Sequence, residues 1–174
     1  MQWVLLLVIA AVGMLILLVI IGMLLPRDHV AASRIGLQQS PETVWSLVRD
    51  LGKVPAFWTD IKSSERQPDQ EGRQVWLQRM KNGFALPLII EEDLPPKKLV
   101  TRIAVTGKAP FGGRWIYQIA EAPGGSELTI TEDGWIDNPF FRVISRLMGY
   151  HGTVDRYLRA LTRHLGESGE PEHV

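Results

Sequence analysis

Residues 128–142, LTITEDGWIDNPFFR, contain the end of a strand and the start of a helix. Apolar and polar residues alternate in the first half, which predicts a strand with one buried face. Asn138-Pro139 then supplies a capping side chain followed by proline at the first helical position, a common helix start. Apolar residues at helical spacing continue to Leu165, and Gly166 ends the pattern. The stretch therefore predicts a last strand followed directly by a long C-terminal helix.

Upstream of this stretch, strand patterns alternate with turn residues. Asn82-Gly83 lies between two apolar runs, which predicts a β-hairpin, and Ser40-Pro41 predicts a capped helix start. Candidate strands cover residues 29–37, 61–67, 73–80, 84–94, 98–105, 114–121 and 126–136. Their short connections indicate antiparallel neighbours, because parallel strands need long crossovers. The predicted fold class is α+β, a seven-stranded curved antiparallel sheet around a long C-terminal helix.

The start of the chain differs from the rest. Residues 3–25, WVLLLVIAAVGMLILLVIIGMLL, contain no charged side chain. At about 1.5 Å per residue they span the roughly 30 Å hydrocarbon layer of a bilayer. No Lys or Arg precedes the run and no small-x-small site ends it, so an uncleaved membrane anchor is expected rather than a signal peptide. Arg27 and Arg34 follow the run, which by the positive-inside rule predicts a domain on the cytoplasmic face.

We therefore expect three parts. They are a transmembrane anchor at residues 1–26, a globular domain at residues 27–166 and a flexible tail at residues 167–174.

The composition excludes several classes of function. The 19 basic and 19 acidic residues balance, so no net charge attracts nucleic acid. The chain has no cysteine, which excludes thiol catalysis and cysteine-ligated metal. Its four histidines have no partners at ligand spacing, so neither a metal site nor a cofactor is expected.

The C-terminal helix contains an unusual stretch, RLMGYHGTVDRYL at residues 146–158. His151 lies on the apolar stripe between Gly149 and Gly152, although glycine costs a helix interior roughly 1 kcal/mol. Room for a ligand beside the imidazole would explain the pair. Because a buried imidazole needs a partner, three possibilities remain open. They are a sheet residue such as Tyr117 or Glu132, a ligand head group, or a substrate for which His151 is the base.

Other polar features of the sequence are weaker signals. Among the carboxylates of the predicted strands, Glu132 is the better candidate for an acid that points into the domain, because it shares a strand face with Leu128, Ile130 and Ile136. The alternative that Glu132 faces solvent remains open. Gly112-Gly113 is expected in a loop at residues 106–113 on the rim of a cavity. The charged residues Asp155, Arg156, Arg159 and Arg163 are expected on the outer face of the last helix.

Aromatic residues are frequent in and beside the predicted sheet: Trp58, Trp76, Phe84, Trp115, Tyr117 and Trp135. Large rings facing a helix with two glycines indicate a cavity rather than a filled centre.

The order of elements resembles that of the START-like superfamily, specifically its SRPBCC (polyketide cyclase/dehydrase-like) group. The resemblance covers roughly residues 29–165 and includes FGGRWIYQI at 111–119, LTITEDGWIDNPFFR at 128–142 and DRYLRAL at 155–161. It implies a helix-grip fold, in which a curved sheet and a C-terminal helix enclose a deep apolar cavity. Members of the group bind lipids, sterols, quinones, hormones or polyketides, and a minority are cyclases, dehydratases or hydrolases.

The leading hypothesis is a membrane-anchored module that binds a lipid-like or quinone-like hydrophobic molecule and is not an enzyme. Its partners are this ligand and, through residues 3–25, the lipid bilayer. The expected ligand-binding residues are Phe84, Trp115, Tyr117, Leu147, Gly149, His151, Gly152 and Val154. One alternative is a cyclase- or dehydratase-like enzyme that uses His151 and Glu132 as acid and base. The other is a protein-interaction module whose groove accepts a partner segment.

Overall fold

The described strands form one curved antiparallel sheet in a computed structural model, which describes residues 2–104 and 109–174. The elements are α1 (Gln2–Leu24), β1 (Asp28–Leu37), α2 (Pro41–Arg49), a 3-10 turn (Leu51–Lys53), α3 (Val54–Phe57), β2 (Ile61–Gln70), β3 (Arg73–Met80), β4 (Ala85–Leu94), β5 (Lys98–Ile103), β6 (Phe111–Ala122), β7 (Gly125–Ile136), α4 (Pro139–Met148), α5 (Gly152–His164) and β8 (Glu172–His173). The strand order is β2-β3-β4-β5-β6-β7-β1-β8. The predicted fold class is confirmed.

Local sequence signals explain the start of α2 and the β3–β4 hairpin. Ser40 caps α2 by accepting a hydrogen bond from the Thr43 backbone N–H. Gly83 has a positive φ of 87° in the turn between β3 and β4, a conformation that glycine adopts readily.

The glycine pair at the start of β6 differs from its prediction. The expected loop at residues 106–113 and the end of the expected strand at 98–105 lie partly outside the described residues. Gly112 and Gly113 belong to β6 and pair with β7. A Cβ on Gly112 would lie 2.7 Å from the Trp135 ring, so glycine is required there by close packing rather than by a loop.

The register places side chains of one sheet face in rows across the strands. Trp115 lies opposite Glu132, and Glu132 lies opposite Ala31. Ser33, two residues further along β1 and therefore on the same face, donates a hydrogen bond to Asp155 of α5. We call the face that carries α5 the concave face.

The C-terminal helix is two helices rather than one. α4 ends at Met148, Gly149 follows with φ of 79°, and α5 begins at Gly152. Consequently α5 packs against β1, β7 and α3, whereas α4 packs mainly against α1 and also contacts β7. The apolar stripe expected along one continuous helix is therefore divided between two helices with different partners.

The core lies between the concave face and the helices α2, α3 and α5. Its fully buried side chains include Val44 and Val48 of α2, Leu99, Leu128 and Ile130 of the sheet, and Val154, Tyr157, Leu158 and Leu161 of α5.

The tail at the C-terminus, expected to be flexible, contains the short strand β8. Glu172 and His173 pair with Arg34 and Ser33 of β1. The Arg34 guanidinium also donates to the Glu172 carboxylate at 3.1 Å.

A buried arginine joins α1 to the domain. The Arg142 guanidinium donates to the carbonyls of Gly22 at 3.1 Å and Leu25 at 3.3 Å. It also donates to the carbonyls of Ile136 and Asp137, each at 2.8 Å. The last carbonyls of a helix have no partner inside the helix, so Arg142 supplies partners at the end of α1.

Close helix packing adds to this junction. A Cβ on Gly22 would lie 2.0 Å from the Pro139 carbonyl oxygen, so only glycine allows α1 and α4 to approach this closely. The Arg27 guanidinium lies 2.5 Å from the Asp137 carboxylate just beyond the end of α1.

We predict that Gly22→Ala loosens the α1–α4 junction, because the added methyl group separates the helices and weakens the Arg142 hydrogen bonds. Trypsin should then cut after Arg27 faster in the detergent-solubilised chain. Gly13→Ala is the matched control, since no atom lies within 4 Å of a Cβ at Gly13. Equal cleavage rates in the two variants would contradict the prediction.

Candidate functional site

A chain of three hydrogen-bonded side chains crosses the concave face. The Trp115 indole N–H donates to Glu132 Oε2 at 3.0 Å, and His29 Nε2 lies 3.2 Å from Glu132 Oε1. Glu132 therefore points into the domain. Tyr150 stacks on the His29 ring at a centroid distance of 4.2 Å, and Gly134 makes room for the imidazole, because a Cβ there would lie 2.9 Å from it.

The hydrogen bonds among His29, Glu132 and Trp115 orient the His29 ring. A proton on Nε2 lets His29 donate to Glu132, which leaves Nδ1 as an acceptor. Nδ1 is buried and has no hydrogen-bond partner among the described residues. A carboxylate on one ring nitrogen and an unpaired second nitrogen is the arrangement that orients a histidine base.

Four aromatic rings, which we call the aromatic cluster, fill the space between the sheet and α5: Trp58, Trp115, Tyr117 and Tyr157. Tyr157 meets the other three in edge contacts, with ring centroids 5.3 Å from Trp58, 5.6 Å from Trp115 and 5.9 Å from Tyr117. Edge contacts of this kind are favourable between aromatic rings. In the described residues, packed rings therefore occupy the place where the resemblance implied a deep cavity.

Two polar atoms of the aromatic cluster are buried and have no hydrogen-bond partner among the described residues, the Trp58 indole N–H and the Tyr157 hydroxyl. Burial raises the pKa of Tyr157 well above its usual value, and the neighbouring Tyr117, whose hydroxyl lies close to that of Tyr157 but outside hydrogen-bonding geometry, raises it further. Burial also raises the pKa of Tyr117. Tyr157 is therefore neutral at physiological pH and keeps its proton. Leaving such a group unpaired costs about 1–3 kcal/mol, so packing alone does not explain these two atoms.

The partner of His151 is a sheet residue, the first of the three possibilities, but it is Ser33 of β1. His151 Nδ1 lies 3.3 Å from the Ser33 hydroxyl, and its ring stacks on His173 at a centroid distance of 3.8 Å. Since the Ser33 hydroxyl donates to Asp155 at 2.7 Å, its oxygen accepts from His151. The two sheet residues named as examples, Tyr117 and Glu132, do not bond His151; Glu132 instead contacts His29 and Trp115.

Asp155 is buried, whereas the sequence placed it on the outer face of the helix. It accepts from Ser33, and His173 Nε2 lies 3.0 Å from its other oxygen. Burial alone would raise the pKa of Asp155, but the hydrogen bonds from His173 and Ser33 and the nearby charge of Arg159 together lower it. Asp155 is therefore ionised at neutral pH and ties the tail to α5.

The expected ligand-binding residues of the sheet and of α5 lie in or near the interior. Tyr117 and Val154 are buried and Trp115 is partly buried against the core. Phe84 is half exposed at the β3–β4 turn, with its ring 5.8 Å from that of Phe111.

The remaining expected residues lie at the helix break and are not brought into the interior. Leu147 is 81% exposed on α4. Gly149 and Gly152 are exposed, and a Cβ at either would meet no atom within 4 Å. Gly149 is present for its backbone conformation, and neither glycine makes room beside a packed surface.

Two surface depressions lie away from these groups. One, of about 460 Å³, lies between residues 36–38, 122–124 and 167–169. The other, of about 490 Å³, lies between Leu94, Lys98, Gln118 and Thr129. Neither is lined by the aromatic cluster or by the His29–Glu132–Trp115 chain.

Sequence reasoning missed His29, Ser33, Tyr157 and His173 as members of these groups. Tyr157 had a usable signal, because it lies on the same helical stripe as Val154, Leu158 and Leu161. The other three had none. The partners of His29 and Ser33 are more than a hundred residues away in the sequence, and His173 lies in the tail.

A curved antiparallel sheet closed by a C-terminal helix defines a helix-grip, START-like protein. The family described as "Polyketide cyclase / dehydrase and lipid transport" matches residues 29–166, and the chain belongs to this family. The resemblance noted over residues 29–165 is thus confirmed. Proteins with this fold are known to bind hydrophobic ligands. None of the curated proteins matches the chain.

Solved structures with the same fold are distant in sequence. The START superfamily protein from Mycobacterium smegmatis has a TM-score of 0.60 and 15% identity, covering 80% of this chain and 97% of its own. XoxI from Bacillus cereus has a TM-score of 0.57 and 17% identity, covering 80% and 95%. The di-domain ARO/CYC StfQ from the steffimycin biosynthetic pathway has a TM-score of 0.62 and 12% identity, covering 77% and 49%, so the chain spans about half the length of StfQ. At these identities the likeness shows the fold alone.

We predict opposite effects for alanine at the two glycines of the helix break. Gly149→Ala should lower the free energy of unfolding by about 1–3 kcal/mol, because φ of 79° is strained for any residue with a Cβ. Gly152→Ala should raise it by about 0.5–1 kcal/mol, because the backbone is helical and the space is open. Thermal denaturation of both variants is the measurement. A loss of stability in Gly152→Ala would show that this glycine has a packing role.

Proposed function

We propose that the protein is a membrane-anchored module that binds a hydrophobic small molecule between the concave face and the C-terminal helices. The observation that carries the proposal is the pair of unpartnered buried groups, Trp58 Nε1–H and Tyr157 O–H, within the aromatic cluster. Family membership supports the general class of ligand.

The two unpartnered groups define the chemistry of the ligand. Trp58 can only donate a hydrogen bond, and the neutral Tyr157 can donate or accept. A carbonyl or hydroxyl oxygen on an apolar skeleton would satisfy both, and the surrounding rings would cover the skeleton. Quinone-like and lipid-like molecules have this chemistry.

The concave face offers a route to the aromatic cluster. Trp76, Leu88 and Ile103 lie in one row across β3, β4 and β5, and all three are only partly buried. α5 packs against β1 and β7 and leaves this part of the face less covered. The row and Phe84 would hold the apolar part of the ligand, while Trp115, Tyr117 and Val154 surround its oxygen-bearing end. The Trp76 indole N–H in this row is also buried without a partner among the described residues, so it offers the ligand a further hydrogen-bond donor. Admission past Trp58 requires a side-chain movement, which is common on binding.

The structure of the α1 junction supports the membrane part of the proposal. α1 is long and apolar enough to cross a membrane by length and composition. A leader removed after export would have no use for the Arg142 hydrogen bonds or for the close contact of Gly22 with Pro139. Arg27 and Arg34 after the helix favour a domain on the cytoplasmic face.

A second candidate function follows from His29. Its Nδ1 is unpartnered while Glu132 orients its Nε2, so His29 rather than His151 is the side chain arranged as a base. A dehydratase-like reaction would use it to remove a proton beside a carbonyl, with loss of the neighbouring hydroxyl as water.

We predict that Tyr157→Phe weakens ligand binding without destabilising the fold. In the unliganded protein the Tyr157 hydroxyl has only the nearby Tyr117 hydroxyl beside it and no partner of hydrogen-bonding geometry among the described residues, so the free energy of unfolding should change by less than about 1 kcal/mol. The ligand loses one bond, and affinity falls about fivefold. Native mass spectrometry of the detergent-extracted full chain measures the fraction carrying a small molecule. Tyr150→Phe, the same change outside the aromatic cluster, is the control.

The same measurement has outcomes that contradict the proposal. If the same fraction of the parent and of Tyr157→Phe carries the small molecule, the Tyr157 hydroxyl does not contact the ligand. A bound peptide instead of a small molecule would favour the protein-interaction module.

We predict that His29→Gln distinguishes binding from catalysis. A binding module should retain the same molecule in the parent and the variant. A dehydratase-like enzyme should instead retain in the variant a molecule heavier by one water than that found with the parent. Mass spectrometry of the released ligands decides between the two.

A further inference from the structure

α1 is exposed along most of its length but less so along one stripe near its C-terminal end. Leu18, Val19 and Leu25 are partly buried and Gly22 is buried. α4 is the element that packs against α1. From Leu18 to Leu25 the helix rises about 10 Å, so α4 lies beside the last two turns of the apolar segment.

α4 has an apolar side that the domain does not cover. At 100° per residue, five side chains fall within an arc of about 120° on the helix, and we call them the α4 arc: Phe140, Phe141, Ile144, Leu147 and Met148. Phe141 is 52% exposed, Leu147 81% and Met148 80%. The two arginines of α4 lie outside this arc.

We propose that the α4 arc inserts into the boundary between head groups and acyl chains of the bilayer that α1 crosses. The inference rests on the membrane anchor of the proposed function. If residues 3–25 span the hydrocarbon layer, a helix fixed beside residues 18–25 lies at the depth of an interfacial helix, about 5–10 Å into the boundary. Water is not the surrounding medium at that depth, which explains why large apolar side chains are exposed there.

The junction with α1 makes this position a fixed one. Arg142 holds the carbonyls of Gly22 and Leu25, and Gly22 leaves no gap to Pro139. α4 therefore cannot leave the bilayer without breaking these contacts. Arg146 is exposed on α4 outside the arc, where its long side chain reaches the phosphate level.

The same geometry directs one end of the sheet towards the lipid. The Ile136 N–H donates to the Arg27 carbonyl, and Ile136 pairs with Phe111 at the start of β6. Phe84 lies beside Phe111 and is half exposed. The apolar end of the concave face is thus on the side of α1 and α4, so a hydrophobic ligand could pass between bilayer and binding face without crossing water.

The absence of cysteine from the sequence makes a direct test possible. Leu147→Cys and Met148→Cys, labelled with the fluorophore NBD, report on the α4 arc in the full chain reconstituted into phosphatidylcholine nanodiscs. Ile9→Cys, on α1, is the reference for lipid. Gln70→Cys, exposed at the end of β2 away from Phe84, is the reference for water.

We expect the labels at 147 and 148 to have blue-shifted emission and to be quenched by nitroxide-bearing lipids, as at position 9. The label at position 70 should be quenched only by aqueous iodide. Lipid quenching at position 9 together with iodide quenching at 147 and 148 would overturn the inference and leave the anchor intact.

Two other results also decide the matter. Loss of lipid quenching at position 9 would overturn the membrane anchor itself. Protection of positions 147 and 148 from both quenchers would show that a second copy of the chain covers the α4 arc, and would overturn the bilayer contact.

Discussion

Gly149 has a backbone conformation that breaks the C-terminal helical segment, and the remaining architecture follows from this break. A continuous helix would present one face to the sheet along its whole length. With φ of 79° at Gly149, the segment instead becomes two helices that share only a contact with β7 and otherwise pack against different elements. α5 closes the concave face, and α4 is released to pack against α1. The domain is therefore joined to its apolar N-terminal helix by packing as well as by the short connection through Pro26.

The concave face combines a packed interior with hydrogen-bonding groups that lack partners. Its two polar systems differ in this respect. Ser33, His151, Asp155 and His173 satisfy one another, and their arrangement stabilises the contact between β1, α5 and the tail. By contrast, Trp58, Tyr157 and His29 each retain a buried atom without a partner among the described residues, as do Trp76 and Ser64 on β3 and β2. Because protein interiors rarely leave such groups unpaired, the second system is the one to associate with a ligand.

Local sequence signals predicted most of the fold. Alternating strands, Asn82-Gly83 and the caps at Ser40 and Asn138 each act through neighbouring residues, and all are observed. The break at Gly149 was missed because apolar spacing continues across it, so periodicity alone does not distinguish one helix from two.

The candidate site was less predictable, for a different physical reason. Glu132, Trp115 and Tyr117 could be assigned to one sheet face from strand alternation, which puts Trp135 on the opposite face. The partner of His151 could not, because Ser33 is 118 residues away and only the β1–β7 register and the position of α5 bring the two together. Hydrogen bonds between distant segments leave no periodic trace in a single sequence.

The helix break also connects the side of the domain that packs against α1 with the hydrogen-bonded group of His29, Glu132 and Trp115 on the concave face. Tyr150 lies in the break, directly after Gly149, and stacks on His29. β1 starts at Asp28, a few residues after the end of α1, and His29 contacts Glu132, which accepts from Trp115. From α1 to the aromatic cluster, the residues named here therefore contact one another in sequence, with no intervening loop. Because α4 packs beside α1, it fixes the position of Tyr150, and Tyr150 in turn holds the His29 ring, whose Nδ1 has no partner among the described residues. The packing of the domain against α1 and the orientation of this histidine thus depend on the same short segment between α4 and α5.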